Sequence, residues 1–161
     1  MNKFKAFILI VIAVILQSTL FTNFNILGAN INIILPLLIA LSQILGQNVS
    51  TNCALFSGLV EDILFTNIIG ARALSYFIIT YFISSKRYHI SKDLKTGILT
   101  TAISSIAHII LVSFIYFIFT RKSFEGVFDL YMIIEVILNC IFYFIFYKLI
   151  KKIMYIPTYR F

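Results

Sequence analysis

The sequence predicts an all-α integral membrane protein, a compact bundle of about six transmembrane helices with both termini in the cytoplasm. The first observation is composition: 61% of the 161 residues are hydrophobic and 12% are charged, against about 45–50% and about 25% in soluble domains. The second is that the apolar residues form six separate segments. The third is that lysine and arginine cluster in three places, as they do in cytoplasmic parts of membrane proteins.

The six apolar segments define one multi-pass membrane domain over residues 1–161. They lie at residues 4–21, 31–45, 52–65, 71–84, 97–119 and 128–147. A helix needs about 20 residues to cross the hydrocarbon core, and the first, fifth and sixth segments meet that length. The second and third are short, so they either cross a thin region or form a partly re-entrant pair. Pro36 fits a first turn or a kink of the second segment.

The basic residues predict the orientation. They flank the first segment, follow the fourth, and fill the C-terminal tail: Lys3, Lys5, Lys86, Arg87, Lys92, Lys95, Lys148, Lys151, Lys152 and Arg160. If all three regions are cytoplasmic, an even number of spans separates each pair, and six spans satisfy this. The loop at residues 120–127 then lies outside, although Arg121 and Lys122 count against that. No small-x-small cleavage site follows the first segment, which predicts a retained helix.

The third and fourth segments carry three charges close to a predicted tight turn. Glu61 and Asp62 precede the turn, and Arg72 follows it. Charged side chains at membrane depth usually pair with one another, so we expect an ion pair between Asp62 and Arg72 across a helical hairpin. Gly58 permits close helix approach, and Gly70 belongs to the turn. The alternatives are interfacial residues that extend to water and, less favoured, a catalytic acid pair.

Two further polar groups lie on the last two segments. Glu135 and Asn139 share one helix face at a spacing of four residues. Small and polar residues recur at helical spacing on the fifth segment: Gly97, Thr101, Ser104, Ser105 and His108. Helix packing is favoured over a proton relay at Glu135 or a ligand role for His108. We expect so small a bundle to leave some of these groups, or the Gln17–Ser18–Thr19 patch, for a partner helix to satisfy.

Several enzyme classes are disfavoured. The sequence has no Gly-x-Ser-x-Gly motif and no phosphate-binding Gly-x-x-x-x-Gly-Lys-Ser/Thr loop. It also lacks the aspartates of membrane phosphatidyltransferases and the paired aspartate motifs of signal peptidase II. Cys53 and Cys140 have no metal-ligand spacing and are expected to be small buried residues. The sequence therefore predicts neither enzyme activity nor a cofactor or metal, and no nucleic-acid partner.

Short motifs along most of the chain resemble the rod shape-determining protein MreD family. They are Gly58-Leu59-Val60-Glu61-Asp62, then Gly70-Ala71-Arg72-Ala73-Leu74, then an apolar run before Lys86-Arg87. Leu16-Gln17-Ser18-Thr19-Leu20 and Leu35-Pro36 are similar too. The chain departs from the pattern at Glu61, where an apolar residue or Gln is commoner, and in its short second segment.

The resemblance implies a non-catalytic scaffold or regulator of wall elongation, needed for rod cell shape, in the bacterial cytoplasmic membrane. Its implied partner is MreC, with MreB, RodA and the associated transpeptidase bound directly or indirectly, in contact with membrane lipid. Family bundles are also similar in arrangement to the substrate-binding components of energy-coupling-factor vitamin transporters. The alternative function is therefore a small-molecule-binding membrane subunit.

Overall fold

Six helices and one short ribbon make up the described parts of the protein. The computed structural model describes residues 2–21, 25–26, 29–30, 32–66, 68–85, 93–121 and 130–154. The helices are α1 (Asn2–Leu16, continued by a π-helical turn, Gln17–Phe21), α2 (Ile34–Ile44), α3 (Gln47–Phe65), α4 (Ala71–Ser84), α5 (Leu94–Thr120) and α6 (Leu130–Ile153). In the ribbon, β1 (Asn25–Ile26) pairs antiparallel with β2 (Ala29–Asn30). The predicted helical architecture with six helices is confirmed.

The long helices are polar inside and apolar outside. The buried residues of α5 are Gly97, Thr101, Ser104, Ser105 and His108. Its large apolar side chains face outward, with Leu99 62% and Phe119 70% exposed. In water this arrangement would expose apolar surface on the scale that marks an interaction or membrane site, whereas hydrocarbon solvates it. α5 and α6 are long and apolar enough to cross a membrane.

Short helix α2 lies at the centre of the bundle, where every residue from Ile34 to Gln43 is buried. At about 1.5 Å per residue it spans about 16 Å, roughly half of a hydrocarbon core. Its buried start therefore needs hydrogen-bond partners from the protein itself. Gln17 Oε1 accepts from the Ile33 N–H at 2.9 Å, and Asn32 Oδ1 accepts from the N–H groups of Ile34 and Leu35 at 3.1 Å. Pro36, in the first turn as predicted, has no N–H to satisfy.

Helices α3 and α4 form a close hairpin. Gly58 of α3 lies directly against the backbone of Ala73, and a Cβ at position 58 would collide with the Ala73 Cα. Gly70 precedes α4 with φ of 105°, a left-handed conformation that glycine adopts without strain. These two glycines let the chain reverse within a few residues. α3 begins at Gln47, five residues before the predicted segment starts, so it is long enough to span about 28 Å.

The first and last described helices meet at one end of the bundle. Lys5 Nζ donates to the Ile153 carbonyl at 2.9 Å, which places the start of α1 beside the end of α6. The start of α3 shares a cleft with Lys3, and Gly97 near the start of α5 touches Tyr143 of α6. We call this the basic end, because the described lysines of the predicted cytoplasmic clusters lie here: Lys3, Lys5, Lys95, Lys148, Lys151 and Lys152. Lys86, Arg87, Lys92, Lys122, Arg160 and the predicted segment start at 128 lie outside the described residues.

Candidate functional site

Asp62 caps the helix that follows the hairpin turn. Its carboxylate accepts hydrogen bonds from the backbone N–H groups of Gly70 (2.8 Å), Arg72 (3.1 and 3.2 Å) and Ala73 (3.2 Å). Those N–H groups have no partner within α4, and a carboxylate there also faces the positive end of the helix dipole. Asp62 is fully buried. The backbone N–H groups at the start of α4 therefore take the place of water around its carboxylate.

The ion pair of the hairpin joins Arg72 to Glu61. The guanidinium Nη1 lies 3.6 Å from Glu61 Oε1, and the Arg72 side chain is 30% exposed. The predicted side-chain pair between Asp62 and Arg72 was wrong. Adjacent residues on a helix point about 100° apart, and in this hairpin Asp62 faces the backbone that begins α4. The guanidinium also lies over the Phe65 ring, 5.9 Å from its centroid.

Glu61 has a second partner on the other side. The Tyr76 hydroxyl donates to Glu61 Oε2 at 2.7 Å, and the Asn32 carboxamide Nδ2 donates to the same hydroxyl at 2.8 Å. Asn32 also caps α2 through its Oδ1. A single chain of contacts therefore links the start of α2, the end of α3 and the first turns of α4. Removing any member leaves a buried polar group unpaired, at a cost of about 1–3 kcal/mol.

His108 connects this chain of contacts to α5. Its Nδ1 and the Ser75 hydroxyl share a hydrogen bond of 2.7 Å, and its ring stacks on Tyr76 with centroids 4.7 Å apart. His108, Ser75 and Tyr76 are all buried. His108 is thus held by α4 on the inside of the bundle.

Asn139 and the α5 stripe form a second polar layer closer to the basic end. Asn139 Nδ2 donates to the Ser105 hydroxyl at 3.0 Å, and Ser105 in turn donates to the Thr101 carbonyl. One layer further on, the Tyr143 hydroxyl donates to Gln43 Oε1 of α2. Gly97 leaves the space that this phenol occupies, because a Cβ there would collide with it.

The bundle itself encloses most of the polar groups that the sequence offered to a partner helix. Thr101, Ser104, Ser105, His108 and Asn139 are all buried against neighbouring helices, and Gln17 binds the start of α2. Of the groups that the sequence suggested a partner helix could satisfy, the α5 stripe and Gln17 are enclosed by the bundle, and Glu135 stays half-buried. Most of these groups can be buried because they hydrogen-bond one another or the backbone within each layer. Among the described residues, Asn139 Oδ1 and Gln43 Nε2 are buried without a hydrogen-bond partner.

Glu135 is a predicted site residue that the bundle encloses only in part. It lies half-buried on α6, one turn before the buried Asn139, within electrostatic range of Arg72. Near Glu135, α5 extends further than the hairpin of α3 and α4. Beyond the contact between His108 and Ser75, α5 continues for about 18 Å to Thr120, whereas α4 extends for only about 6 Å to its first residue. We call residues 114–120 and 131–137 the α5–α6 ledge. Exposed aromatic side chains line it: Phe114, Phe117, Phe119 and Tyr131.

The structure brings most of the predicted site residues together and adds three that the sequence analysis missed. Glu61, Asp62, Arg72 and His108 belong to connected or adjoining contacts, with Gly58 and Gly70 shaping the hairpin. Asn32, Tyr76 and Gln43 were missed. Asn32 carried a detectable signal, because an Asn just before an apolar helical run is a typical N-cap. Within the described ranges no cluster of three His, Cys, Asp or Glu side chains could hold a metal ion, and Cys53 and Cys140 are free thiols.

Comparison with known proteins gives one family match. The family model described as rod shape-determining protein MreD matches residues 1–153. The matched region includes all six helices, the hairpin site and Glu135. No curated protein and no solved structure matches the chain.

Proposed function

Because the chain belongs to the rod shape-determining protein MreD family, a membrane protein family of the rod-shape system, we propose that it is a non-catalytic scaffold or regulator of bacterial cell-wall elongation. It acts by binding MreC. MreB, RodA and the associated transpeptidase join the assembly directly or through MreC. The observation that carries the proposal is the family match, which extends over residues 1–153 and so applies to the whole bundle.

A scaffold role is supported by how the charged residues are used. Asp62 is occupied by three backbone N–H groups, Glu61 by Tyr76 and Arg72, and His108 by Ser75. Catalytic acids and bases must reach a substrate within hydrogen-bond distance, whereas these groups are directed at other helices. Their contacts fix the positions of α2, α3, α4 and α5 relative to one another, which suits a protein that presents a rigid surface.

We further propose that the protein is multi-pass in the bacterial cytoplasmic membrane, with its basic end in the cytoplasm. The apolar exposed surfaces of α5 and α6 support burial in lipid. The meeting of Lys5 with Ile153 supports both chain ends on one side. The lysines gathered at that end favour the cytoplasmic side by the positive-inside rule.

The α5–α6 ledge is the proposed docking surface for MreC, through its membrane helix or the segment beside it. The ledge is aromatic, and aromatic residues are enriched in the buried cores of protein interfaces. Beside it lie Glu135, half-buried and without a hydrogen bond among the described residues, and the partly exposed Arg72. A polar group of the partner would find an acceptor and a donor there, and interhelical hydrogen bonds in membranes are worth roughly 0.6–2 kcal/mol each.

Depletion and site-specific crosslinking test the proposal. In a rod-shaped host that carries this protein, depletion should make the cells round. A photoreactive residue replacing Tyr131 should crosslink MreC, whereas one replacing Ile145 should not. These side chains are 51% and 49% exposed on the same helix, so they form a matched pair. Glu135→Leu should weaken the Tyr131 crosslink more than Glu135→Gln, which keeps hydrogen-bonding capacity.

Two outcomes would reject the proposal at different levels. Equal crosslinking of MreC from both positions would remove the ledge as the docking surface and leave the scaffold role standing. Normal rod shape after complete depletion, together with tight binding of a vitamin-like molecule by the purified protein, would replace the scaffold with the small-molecule-binding subunit.

A further inference from the structure

A cleft opens between the first turns of α1 and α3, at the basic end of the bundle. Its volume is ≈ 280 Å³, and its lining includes Lys3, Phe7, Asn48, Asn52, Cys53 and Phe56. It lies on the side of α3 away from the hairpin turn, so it is separate from the Arg72 cluster and from the α5–α6 ledge. Neither the buried polar network nor the proposed partner contact uses these residues.

The polar part of the cleft has the chemistry of an anion site. Lys3 is exposed and has no acidic partner among the described residues, and the carboxamides of Asn48 and Asn52 make no hydrogen bond there either. α3 begins after Gly46, which provides no side-chain cap. The positive end of the helix dipole therefore adds to the Lys3 charge. An ammonium group, two amide donors and an uncapped helix start together fit a phosphate.

The apolar part of the cleft lies next to the polar part, further from the basic end. Phe7 and Phe56 form its wall, with ring centroids 5.1 Å apart. The same face of α3 reads Asn48, Asn52, Phe56, Leu59 and Ile63, from the basic end inward, and all five side chains are exposed. Polar groups come first and apolar groups follow along one line. This order matches an amphiphile whose headgroup lies at the membrane surface and whose tail runs into the hydrocarbon.

We propose that this cleft binds one anionic phospholipid. The lipid phosphate lies against Lys3, Asn48, Asn52 and the start of α3, and one acyl chain runs along Phe7, Phe56 and Leu59. The hydrogen bond between Lys5 and the Ile153 carbonyl joins the first turn of α1, which carries Lys3, to the end of α6. The site does not depend on the proposed MreC contact.

Native mass spectrometry of the purified protein tests the headgroup part. The protein is exchanged into micelles that contain phosphatidylcholine, phosphatidylglycerol or both. We expect retention of one phosphatidylglycerol in preference to phosphatidylcholine. Lys3→Gln should weaken retention about five-fold, which is the factor that corresponds to about 1 kcal/mol per basic residue near an anionic lipid surface. Lys95→Gln removes an exposed lysine outside the cleft and should leave retention unchanged.

Photocrosslinking locates the acyl chain. Phosphatidylglycerol with a photoreactive group on one acyl chain should label peptides that contain Phe7, Phe56 or Leu59, and Asn52→Leu should reduce that labelling. Labelling spread evenly over all six helices would overturn the proposal. So would equal retention of the two lipids, or equal losses in Lys3→Gln and Lys95→Gln, because either result would show non-specific solvation. Displacement by glycerol phosphate alone would reduce the site to a headgroup site and overturn the assignment of the acyl chain.

Discussion

At Arg72 the backbone and the side chain have different acidic partners. The Arg72 N–H donates to Asp62, while the guanidinium pairs with Glu61. This division explains why two adjacent acids are kept in an apolar helix. Asp62 accepts hydrogen bonds from the N–H groups at the start of α4, and Glu61 balances the positive charge of the Arg72 side chain. The two acids therefore respond differently when the arginine side chain is removed.

A double-mutant cycle should separate the two acids. Arg72→Met removes the guanidinium and keeps the backbone N–H that Asp62 binds. Coupling between Glu61→Gln and Arg72→Met should be about 0.5–3 kcal/mol, the range for residues in direct contact. Coupling between Asp62→Asn and Arg72→Met should be smaller. The free energy of unfolding, measured by sodium dodecyl sulfate titration from mild detergent, gives both values. Greater coupling with Asp62 than with Glu61 would contradict the observed pairing.

Asp62 should be sensitive to the loss of its acceptor oxygens. Asp62→Ala leaves the N–H groups of Gly70, Arg72 and Ala73 without their partner. The Ala73 N–H is buried, and an unsatisfied buried donor costs about 1–3 kcal/mol. Asp62→Asn retains one acceptor oxygen and should cost less. The same unfolding measurement ranks the two variants. If both variants unfold like the unmodified protein, the cap does not contribute to stability.

At the scale of elements, close approach between helices depends on two glycines. Gly58 meets the backbone of Ala73, while Gly97 meets the end of the Tyr143 side chain. A backbone neighbour can move only with its whole helix, whereas a side chain can turn away. The hairpin of α3 and α4 is therefore the more rigid contact of the two, and the layer of α5 and α6 is the more adaptable.

Alanine substitutions should rank in that order. Gly58→Ala forces α3 and α4 apart and should cost about 1–3 kcal/mol, the range for overpacked cores. Gly97→Ala should cost less, since Tyr143 can rotate, although its bond to Gln43 is then lost. Thermal stability in detergent provides the ranking, and a Gly58→Ala variant as stable as the unmodified protein would refute it.

At the scale of the whole molecule, the basic end and the apolar outer surface define a direction in the membrane. Lys5 and Ile153 join the two ends of the described chain, and the outer faces of α5 and α6 are apolar over most of their length. The positive-inside rule then favours one of two orientations. The proposed lipid site and the proposed partner ledge fall at opposite ends of the bundle.

Cysteine accessibility tests this orientation. In a variant that lacks Cys53 and Cys140, a membrane-impermeant thiol reagent added outside should reach Glu125→Cys and miss Ile90→Cys. Both positions lie outside the described residues, and the expectation comes from the distribution of lysine and arginine in the sequence. Labelling of both positions after permeabilisation is the control. Strong labelling at position 90 in intact cells would overturn the six-span topology.

Much of the fold could be predicted because lipid imposes simple rules on sequence. The apolar segment predicted at residues 71–84 has the same bounds as helix α4. The predicted polar stripe is the buried face of α5: Gly97, Thr101, Ser104, Ser105 and His108. The start of α3 was predicted too late, since Gln47, Asn48 and Ser50 are polar yet helical. Polar residues at a helix end beside the membrane surface carry no apolar signal, so hydropathy cannot find them.

The sequence by itself determined the helical membrane bundle, the tight hairpin at Gly70 and the faces on which polar residues lie, because hydrophobic length and helical periodicity are local properties. Only the tertiary structure decided which groups meet. Glu61 rather than Asp62 pairs with Arg72, and Asn32 contacts Tyr76, which lies 44 residues further along the chain. The polar stripe of α5 faces the interior of its own bundle, which the sequence also left open. Partner choice depends on helix rotation and on how far one helix is shifted along the next, and packing among all six helices sets both.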